Sequence, residues 1–236
     1  DRKAVNSTSM ISSDQLHAEM EAERAWREEE MRFLQNQCKD LSDGDREKYS
    51  RALILMAYAH VEGFTKFALL SYIRCVNSSG LRCDEVVDSI AAASLNDVFL
   101  ALSNPEKKSD LFRDVPDDTA LHRFARQREF VEHSAAILSS PLALSDKVVN
   151  TESNLWPVVL RKNLFRLGLP HERFSHLDGM LSLLVNTRNE IGHGAFAKPI
   201  KWSLYEKLRI AALEIMKDLQ AIIFTASDLK WYKRAP

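Results

Sequence analysis

Three residues in the last quarter of the chain could together act on a phosphodiester: Arg188, Asn189 and His193. RNA is cleaved without a metal when its ribose 2′-hydroxyl attacks the adjacent phosphate. This reaction needs a base, an acid for the leaving 5′-oxygen, and positive charge beside the phosphate oxygens. Histidine titrates near neutral pH and suits both proton transfers. The fixed fork of arginine donors suits the phosphate oxygens, and Asn189 can orient His193 or bind phosphate.

The spacing by itself does not single out this pair. An arginine followed five positions later by a histidine occurs three times, as Arg128/His133, Arg166/His171 and Arg188/His193. The first pair lies inside one predicted helix beside acidic residues, and a glycine and a proline interrupt the second. Only the third joins an apolar helix end to a glycine-flanked turn, so it is the pair we take as the candidate site.

Arg188 falls on the apolar face of a helix predicted over residues 172–191. At about 100° per residue it lies about 40° from Phe174, in a stripe that also holds Leu181 and Val185. A charge on such a face is costly unless it is paired or placed in an interface. Two interpretations stay open: a structural arginine that snorkels or pairs with a carboxylate such as Glu62, and a functional arginine.

His193 follows Arg188 by five residues, which on a continuous helix would separate the two side chains by about 140°. Gly192 and Gly194 flank it, and glycine is common just past a helix end. We therefore expect the helix to stop early and His193 to fold back to the side of Arg188. The alternative is a helix cap or an ordinary surface histidine.

Helical patterns dominate the rest of the chain. We predict helices over about residues 15–41, 47–76, 84–102, 119–138, 157–166, 172–191 and from 203 onward, the last with a capping box. The second is apolar nearly all round and should lie in the middle of a bundle. We expect a turn at residues 43–45, a polar surface segment at 104–118, and a loop at 139–154 with a short extended piece at 147–149.

Composition excludes several classes of protein. The net charge is -1, whereas a protein that coats nucleic acid is usually basic, so any nucleic-acid contact must be a local patch. The three cysteines form no CxxC pair, which argues against a disulfide framework or a zinc site and fits a reducing cytoplasm. No uninterrupted apolar run reaches the ~18–20 residues of a membrane span. No P-loop, GxGxxG, HExxH or GxSxG motif is present, and we expect neither a metal nor a cofactor.

Three short segments resemble the HEPN domains. Residues 184–194, LVNTRNEIGHG, resemble the HEPN signature of an arginine, an adjacent polar residue and a downstream histidine. Residues 62–66, EGFTK, resemble the EGF-x-K feature of the MAE-type and RiboL-PSP-type groups. Asn154-Leu155 and residues 164–169 fit the same groups. The resemblance extends over about residues 15–226.

The resemblance implies an all-α fold: a HEPN-like helical bundle with an inserted helical and loop segment. We assign residues 15–230 to this single domain, 84–154 to a family-variable middle segment, and 1–14 to a disordered leader. The resemblance also implies a homodimer in which Arg188 and His193 of two protomers meet in a cleft and cut RNA without a metal. HEPN toxins that are silenced by a nucleotidyltransferase antitoxin carry a tyrosine two residues after the histidine. In this chain Ala195 occupies the position two residues after His193, which argues against silencing by such an antitoxin.

Five further residues are candidates for supporting roles. Glu62 can hold Arg188 in place, or it can pair with Lys66 one turn later on the same helix; both interpretations stay open. Arg161, Lys162 and Arg166 can guide the RNA backbone, or they can form an ordinary solvated basic face.

The function expected is therefore a cytoplasmic, metal-independent endoribonuclease of a prokaryotic defence or toxin–antitoxin type system. Its expected partners are RNA, a second copy of the chain, and an antitoxin or a larger defence complex, with no membrane. The main alternative is a HEPN module that binds RNA or a protein partner without catalysis. A purely structural helical adaptor is a third possibility, but it leaves Arg188 unexplained.

Overall fold

The computed structural model describes residues 10–112, 114, 118–194 and 199–235. Within these ranges the chain forms eight α-helices and no β-strand, although two isolated bridges occur. The helices are α1 (Ser13–Asn36), α2 (Asp43–Ser78), α3 (Asp88–Ser94), α4 (Asn96–Ser103), α5 (Thr119–Leu138), α6 (Pro157–Arg166), α7 (Asp178–Gly192) and α8 (Trp202–Asp228). The all-α fold expected from the sequence is confirmed.

Helix α2 lies at the centre of the bundle. It packs against α1, α7 and α8, while α3 to α6 form a lateral group in which α3 contacts α6 and α4 contacts α5. Val61, Phe64 and Leu69 on α2 are completely buried, and each such apolar side chain contributes about 1.5–3 kcal/mol. Of the described helices, only α2 is long and apolar enough to cross a membrane by length and composition. However, 56% of its most apolar 18-residue stretch is buried inside the protein. This is the pattern of a core helix.

The start of α2 differs from the prediction. The helix begins at Asp43, and the expected turn at residues 43–45 is wrong. Ser42 caps the helix: its Oγ accepts the Asp45 N–H at 3.2 Å and donates to Asp45 Oδ2 at 2.8 Å. A serine cap and carboxylates in the first helical turn both stabilise a helix N-terminus, so the glycine at position 44 is absorbed into the helix.

The start of the first helix also differs from the prediction. Residues 1–9 of the expected leader lie outside the described residues. The Ile11 N–H donates to Ser78 Oγ at 3.0 Å, and Ser12 Oγ accepts the Gln15 N–H at 3.1 Å as the cap of α1. Helix α1 therefore begins at Ser13, and residues 11–14 of the expected leader take part in the bundle.

The middle segment is helical, with more breaks than its pattern suggested. The helix expected over 84–102 is divided at Leu95 into α3 and α4, and the extended piece expected at 147–149 is replaced by a 3-10 turn at Asp146–Val148. Part of the polar surface segment, residues 113 and 115–117, lies outside the described residues. Helix α8 begins at Trp202 without a side-chain cap, so the capping box expected from Ser203 does not form.

Candidate functional site

Helix α7 places Arg188 on its inward face. The helix begins at Asp178 rather than near residue 172, after a 3-10 turn over Ser175–Leu177. Leu181 and Leu184 are buried on this helix, and Arg188 lies about 20° and 40° from them around the axis. The predicted position of Arg188 among apolar residues is therefore confirmed.

Neutral groups hold the Arg188 guanidinium. Its Cζ lies 5.1 Å from the centroid of the Tyr58 ring on α2, a cation–π arrangement. Its Nη1 donates to Asn189 Oδ1 at 2.8 Å and to Asn154 Oδ1 at 3.4 Å. Among the described residues no carboxylate lies within ion-pair distance of this half-buried cation. Its position is thus fixed by groups that carry no formal charge.

Tyr58 links this cluster to the loop before α6. Its hydroxyl accepts the Leu155 N–H at 2.9 Å and donates to Asn154 Oδ1 at 3.4 Å. Burial raises the pKa of Tyr58 above its usual value, and the Glu62 carboxylate beside the hydroxyl adds to this rise, although Arg188 and the Leu155 N–H oppose it. Tyr58 is therefore a neutral phenol at physiological pH.

The two interpretations of Glu62 both require correction. In the described part of the chain, no ion pair joins Glu62 to Lys66, which is exposed, or to Arg188. The Glu62 carboxylate acts instead on the Tyr58 hydroxyl, one helical turn earlier on α2.

His193 does not fold back to the side of Arg188. Helix α7 continues through Gly192, and His193 is its C-cap, with φ -87° and ψ 3° and its N–H donated to the Asn189 carbonyl at 2.9 Å. The chain turns away only at Gly194, where φ is +70°. His193 is exposed and lies about 140° around the axis from Arg188 and ~7.5 Å further along it. One protomer therefore does not bring the two side chains onto the same helix face.

Asn189 lies between them, about 100° from Arg188 and about 40° from His193. Its side chain receives the arginine donor, so its structural role is to orient Arg188. Among the described residues no hydrogen bond joins the Asn189 side chain to His193, so the expectation that this side chain orients His193 has no contact to support it.

The three basic residues of α6 are mostly engaged elsewhere. Arg161 pairs with Asp178 at 2.5 Å, which ties α6 to the start of α7, and Lys162 pairs with Glu152. Arg166 is exposed and lacks a carboxylate partner within the described ranges.

Sequence reasoning missed Tyr58 and Asn154 as members of the cluster. Asn154 enters the sequence analysis only through the family resemblance, and Tyr58 lies inside the apolar run of the helix predicted over residues 47–76. One signal was available: Tyr58 and Glu62 are spaced i,i+4, which places both on one helix face.

One histidine–carboxylate group is close enough to hold a metal among the residues that the structure describes. It consists of His176, Glu214 and Asp218, whose ligand atoms lie within 4.8 Å of one another. It lies at the amino-terminal end of α7, the opposite end from His193, and it shares no residue with the Arg188 cluster.

Comparison with known families identifies the chain. The sequence profile of the MAE_28990-like HEPN family matches residues 16–232, which extend from α1 to beyond the end of α8. No curated protein and no solved structure matches the chain. Because the profile covers nearly the whole sequence, including Tyr58, Asn154, Arg188 and His193, the chain belongs to the MAE_28990-like HEPN family.

Proposed function

We propose that this protein is a metal-independent endoribonuclease that cleaves RNA by attack of the ribose 2′-hydroxyl, with a composite site formed by two protomers. The observation that carries the proposal is that, among the described residues, Arg188 has no carboxylate within ion-pair distance. An arginine that served only the fold would be expected to pair with a carboxylate, because a half-buried, unpaired cation costs stability. Arg188 is held instead by the Tyr58 ring and two amide oxygens.

Such a cation is suited to a phosphate in its transition state. Neutral partners fix the guanidinium without cancelling its charge, and partial burial strengthens its field. Negative charge that develops on the phosphorane oxygens would be stabilised more than the charge of the ground-state phosphate. This is the role that we assign to Arg188, with Tyr58, Asn154 and Asn189 as its positioning residues.

Proton transfer is assigned to His193. Within one protomer His193 lies on the exposed face of α7, so we propose that a second copy completes the site. A two-fold axis brings the same patch together twice. It would supply one histidine to accept the 2′-hydroxyl proton and another to protonate the leaving 5′-oxygen. The products would carry 2′,3′-cyclic phosphate and 5′-hydroxyl ends.

The surface of α2 supports such an association. Ala52, Leu55 and Ala59 are exposed along one stripe of the helix, and Glu62 continues that stripe beside Tyr58. Small and apolar residues on an exposed helix face allow close helix–helix contact. Because α2 also packs on α7, a contact along this stripe would lie close to Arg188.

The first experiment compares Arg188→Met and His193→Ala with a matched pair from the same chain. Arg128 and His133 have the same spacing, but they lie exposed on α5, where Arg128 already pairs with Glu132. We expect each change at the candidate site to reduce cleavage by at least ~100-fold. Arg128→Met and His133→Ala should leave it unchanged. Wild-type-like cleavage by either site variant would refute the assignment.

The second experiment identifies the nucleophile. RNA fragments should end in 2′,3′-cyclic phosphate, cleavage should persist in EDTA, and a substrate with 2′-deoxyribose at the cut site should resist. A strict requirement for magnesium would contradict the mechanism.

The third experiment tests the composite site. Wild-type and His193→Ala subunits are mixed and allowed to exchange. If both histidines act in one cleft, activity should fall as the square of the wild-type fraction, so that an equal mixture retains roughly a quarter. A linear fall, together with an active monomer in sedimentation, would show that one chain suffices.

One observation favours a second function, a HEPN module that binds RNA or a protein partner without cleaving. His193 and Arg188 lie about 140° apart in the single chain, as they would if His193 had no catalytic role. Under this alternative the wild-type chain binds RNA but leaves it intact at every protein concentration.

We also place the enzyme in the cytoplasm, in a prokaryotic defence or toxin–antitoxin type system. In that setting its partner is an antitoxin or a larger defence complex. Unrestrained expression of the wild-type chain should then arrest growth, whereas His193→Ala should not. Equal growth of the two strains would refute this setting.

A further inference from the structure

Three side chains that commonly ligate metals meet between the turn before α7 and the middle of α8. His176 lies in the 3-10 turn that precedes α7, and Glu214 and Asp218 lie on α8. One ligand atom from each lies within 4.8 Å of the other two. The two acids are spaced i,i+4, which places both on one face of α8, whereas His176 is far from both in the sequence. The tertiary fold therefore creates this group, and no contiguous sequence motif indicates it.

The two carboxylates lack a lysine or arginine partner within ion-pair distance in the part of the chain that the structure describes. Lys217 follows Glu214 on α8, but it lies about 100° from Asp218 around the helix axis and is exposed. Like charges one turn apart on a helix repel each other. A single imidazole carries at most one positive charge, so His176 does not balance both acids. A cation shared by all three side chains would remove the repulsion.

The distances within the group suit a tetrahedral metal. Zinc holds imidazole nitrogens at about 2.0–2.1 Å and carboxylate oxygens at about 2.0–2.2 Å, so neighbouring ligand atoms of a tetrahedral site lie roughly 3.3–3.5 Å apart. His176 Nε2 and Glu214 Oε1 already have this separation, at 3.3 Å. Because no pair of ligand atoms is more than 4.8 Å apart, the site closes with movements of ~1.5 Å or less. Rotation of the Asp218 carboxylate about its terminal torsion, which has a broad energy minimum, can provide such a movement.

We propose that His176, Glu214 and Asp218 bind a zinc ion that fastens the turn before α7 to α8. One imidazole and two carboxylates are all ligands that zinc accepts, and a water would fill the fourth position. Magnesium and calcium prefer oxygen ligands, so the imidazole favours zinc over both. This site is separate from the RNA-cleaving cluster, whose proposed reaction uses no metal.

Zinc binding is measured on the purified full chain, without a histidine tag and after its metals have been removed. A chromophoric zinc chelator competes with the protein, and its absorbance gives the dissociation constant. We expect one zinc per chain with a Kd of about 10 µM or lower, and magnesium to bind at least about a hundredfold more weakly. Absence of binding at about 100 µM zinc, or magnesium binding as tight as that of zinc, would overturn the proposal.

Two variants and a matched control connect the ion to this group. His176→Ala and Asp218→Asn each remove one ligand and should weaken zinc binding by at least about tenfold. Asp218→Asn is decisive, because a simple pair of His176 with Glu214 would not involve Asp218. The control is His171→Ala: His171 has a carboxylate 3.6 Å away but lies outside this group, so it should bind zinc like the wild type. Unchanged binding by either ligand variant, or an equal loss in the control, would refute the assignment.

Thermal unfolding separates a zinc site from a cluster that serves the fold alone. Zinc at about a hundred times its Kd should raise the Tm of the wild type by roughly 5 °C. In EDTA, Asp218→Asn should unfold within about 2 °C of the wild type, because the substitution removes a like-charge repulsion and no ion pair. A Tm lower by more than about 4 °C in EDTA would show that Asp218 serves the fold instead, and an unchanged wild-type Tm in zinc would exclude the site. None of these measurements depends on RNA cleavage.

Discussion

The Tyr58 hydroxyl offers the sharpest test of how the site is held together. Tyr58 is 2% exposed, and its hydroxyl accepts the Leu155 N–H and donates to Asn154. Tyr58→Phe removes this hydroxyl but keeps the ring on which Arg188 rests. The substitution therefore separates the hydrogen bonds from the cation–π contact.

The loss of stability in Tyr58→Phe follows from the Leu155 N–H, which the substitution leaves without an acceptor. Leu155 is completely buried, so its N–H would lose its acceptor, and a buried unsatisfied donor costs about 1–3 kcal/mol. Because one kcal/mol shifts Tm by roughly 2–4 °C in a domain of this size, we expect Tm to fall by about 6 °C. Cleavage should fall by roughly tenfold or less, since Arg188 keeps the Tyr58 ring and Asn189 as partners.

Thermal unfolding and cleavage should be measured on the same preparations. Tyr49→Phe is the matched control, because Tyr49 lies on the same helix with 52% of its surface exposed; it should change neither quantity. Tyr58→Leu removes the ring as well and should reduce cleavage further. An unchanged Tm for Tyr58→Phe would refute the role of the hydroxyl in holding residues 154–155. Cleavage lost as completely as in Arg188→Met would mean that the hydroxyl takes part in the chemistry itself.

Three further predictions concern stability. A Cβ added at Gly63 would lie 3.1 Å from Nη2 of the buried Arg27 side chain, whereas a Cβ added at Gly44 would have no neighbour within 4 Å. Gly44→Ala should therefore raise the free energy of unfolding in urea by up to about 1 kcal/mol. For Gly63→Ala, the free energy of unfolding should be at least about 1 kcal/mol lower than for Gly44→Ala. Equal gains in the two variants would contradict this prediction. Gly168→Ala should cost about 1–3 kcal/mol, because φ is +66° and a valine methyl would lie 2.9 Å from the new carbon; no loss in the same assay would count against it. Burial lowers the pKa of His60 below its usual value, although Glu30 lies 2.9 Å away and opposes this. The unfolded chain then takes up a proton more readily than the folded chain, so stability should be lost as the pH falls below about 6.5. The Tm difference between pH 7.5 and 5.5 should be smaller for His60→Gln than for the wild type. An identical difference in the two proteins would exclude His60 as the cause.

Helix boundaries were predictable where a local signal marks them. Helices α5 and α6 have the predicted bounds. Asp118 caps α5 by accepting the Ala120 and Leu121 N–H groups, and a proline opens α6. Such contacts lie within a few residues of the helix end, so the sequence pattern carries them. The start of α7 has no side-chain cap, and there the prediction was six residues too early.

The sequence by itself determined the all-α class, the central place of α2, the family signature around Arg188 and the position of that arginine on an apolar face. These properties depend on residue type and on a helical period of about 3.6 residues, which are local. Only the tertiary structure decided what Arg188 contacts, because Tyr58 lies 130 positions earlier and is brought to it by the packing of α2 on α7. It also decided that the charge has no carboxylate partner among the described residues, and that His193 faces solvent at the end of an unbroken helix. Many residues of the chain could contact Arg188 as far as the sequence pattern is concerned. Which of them does so depends on packing contacts between residues far apart in the sequence, and a local pattern does not contain these contacts.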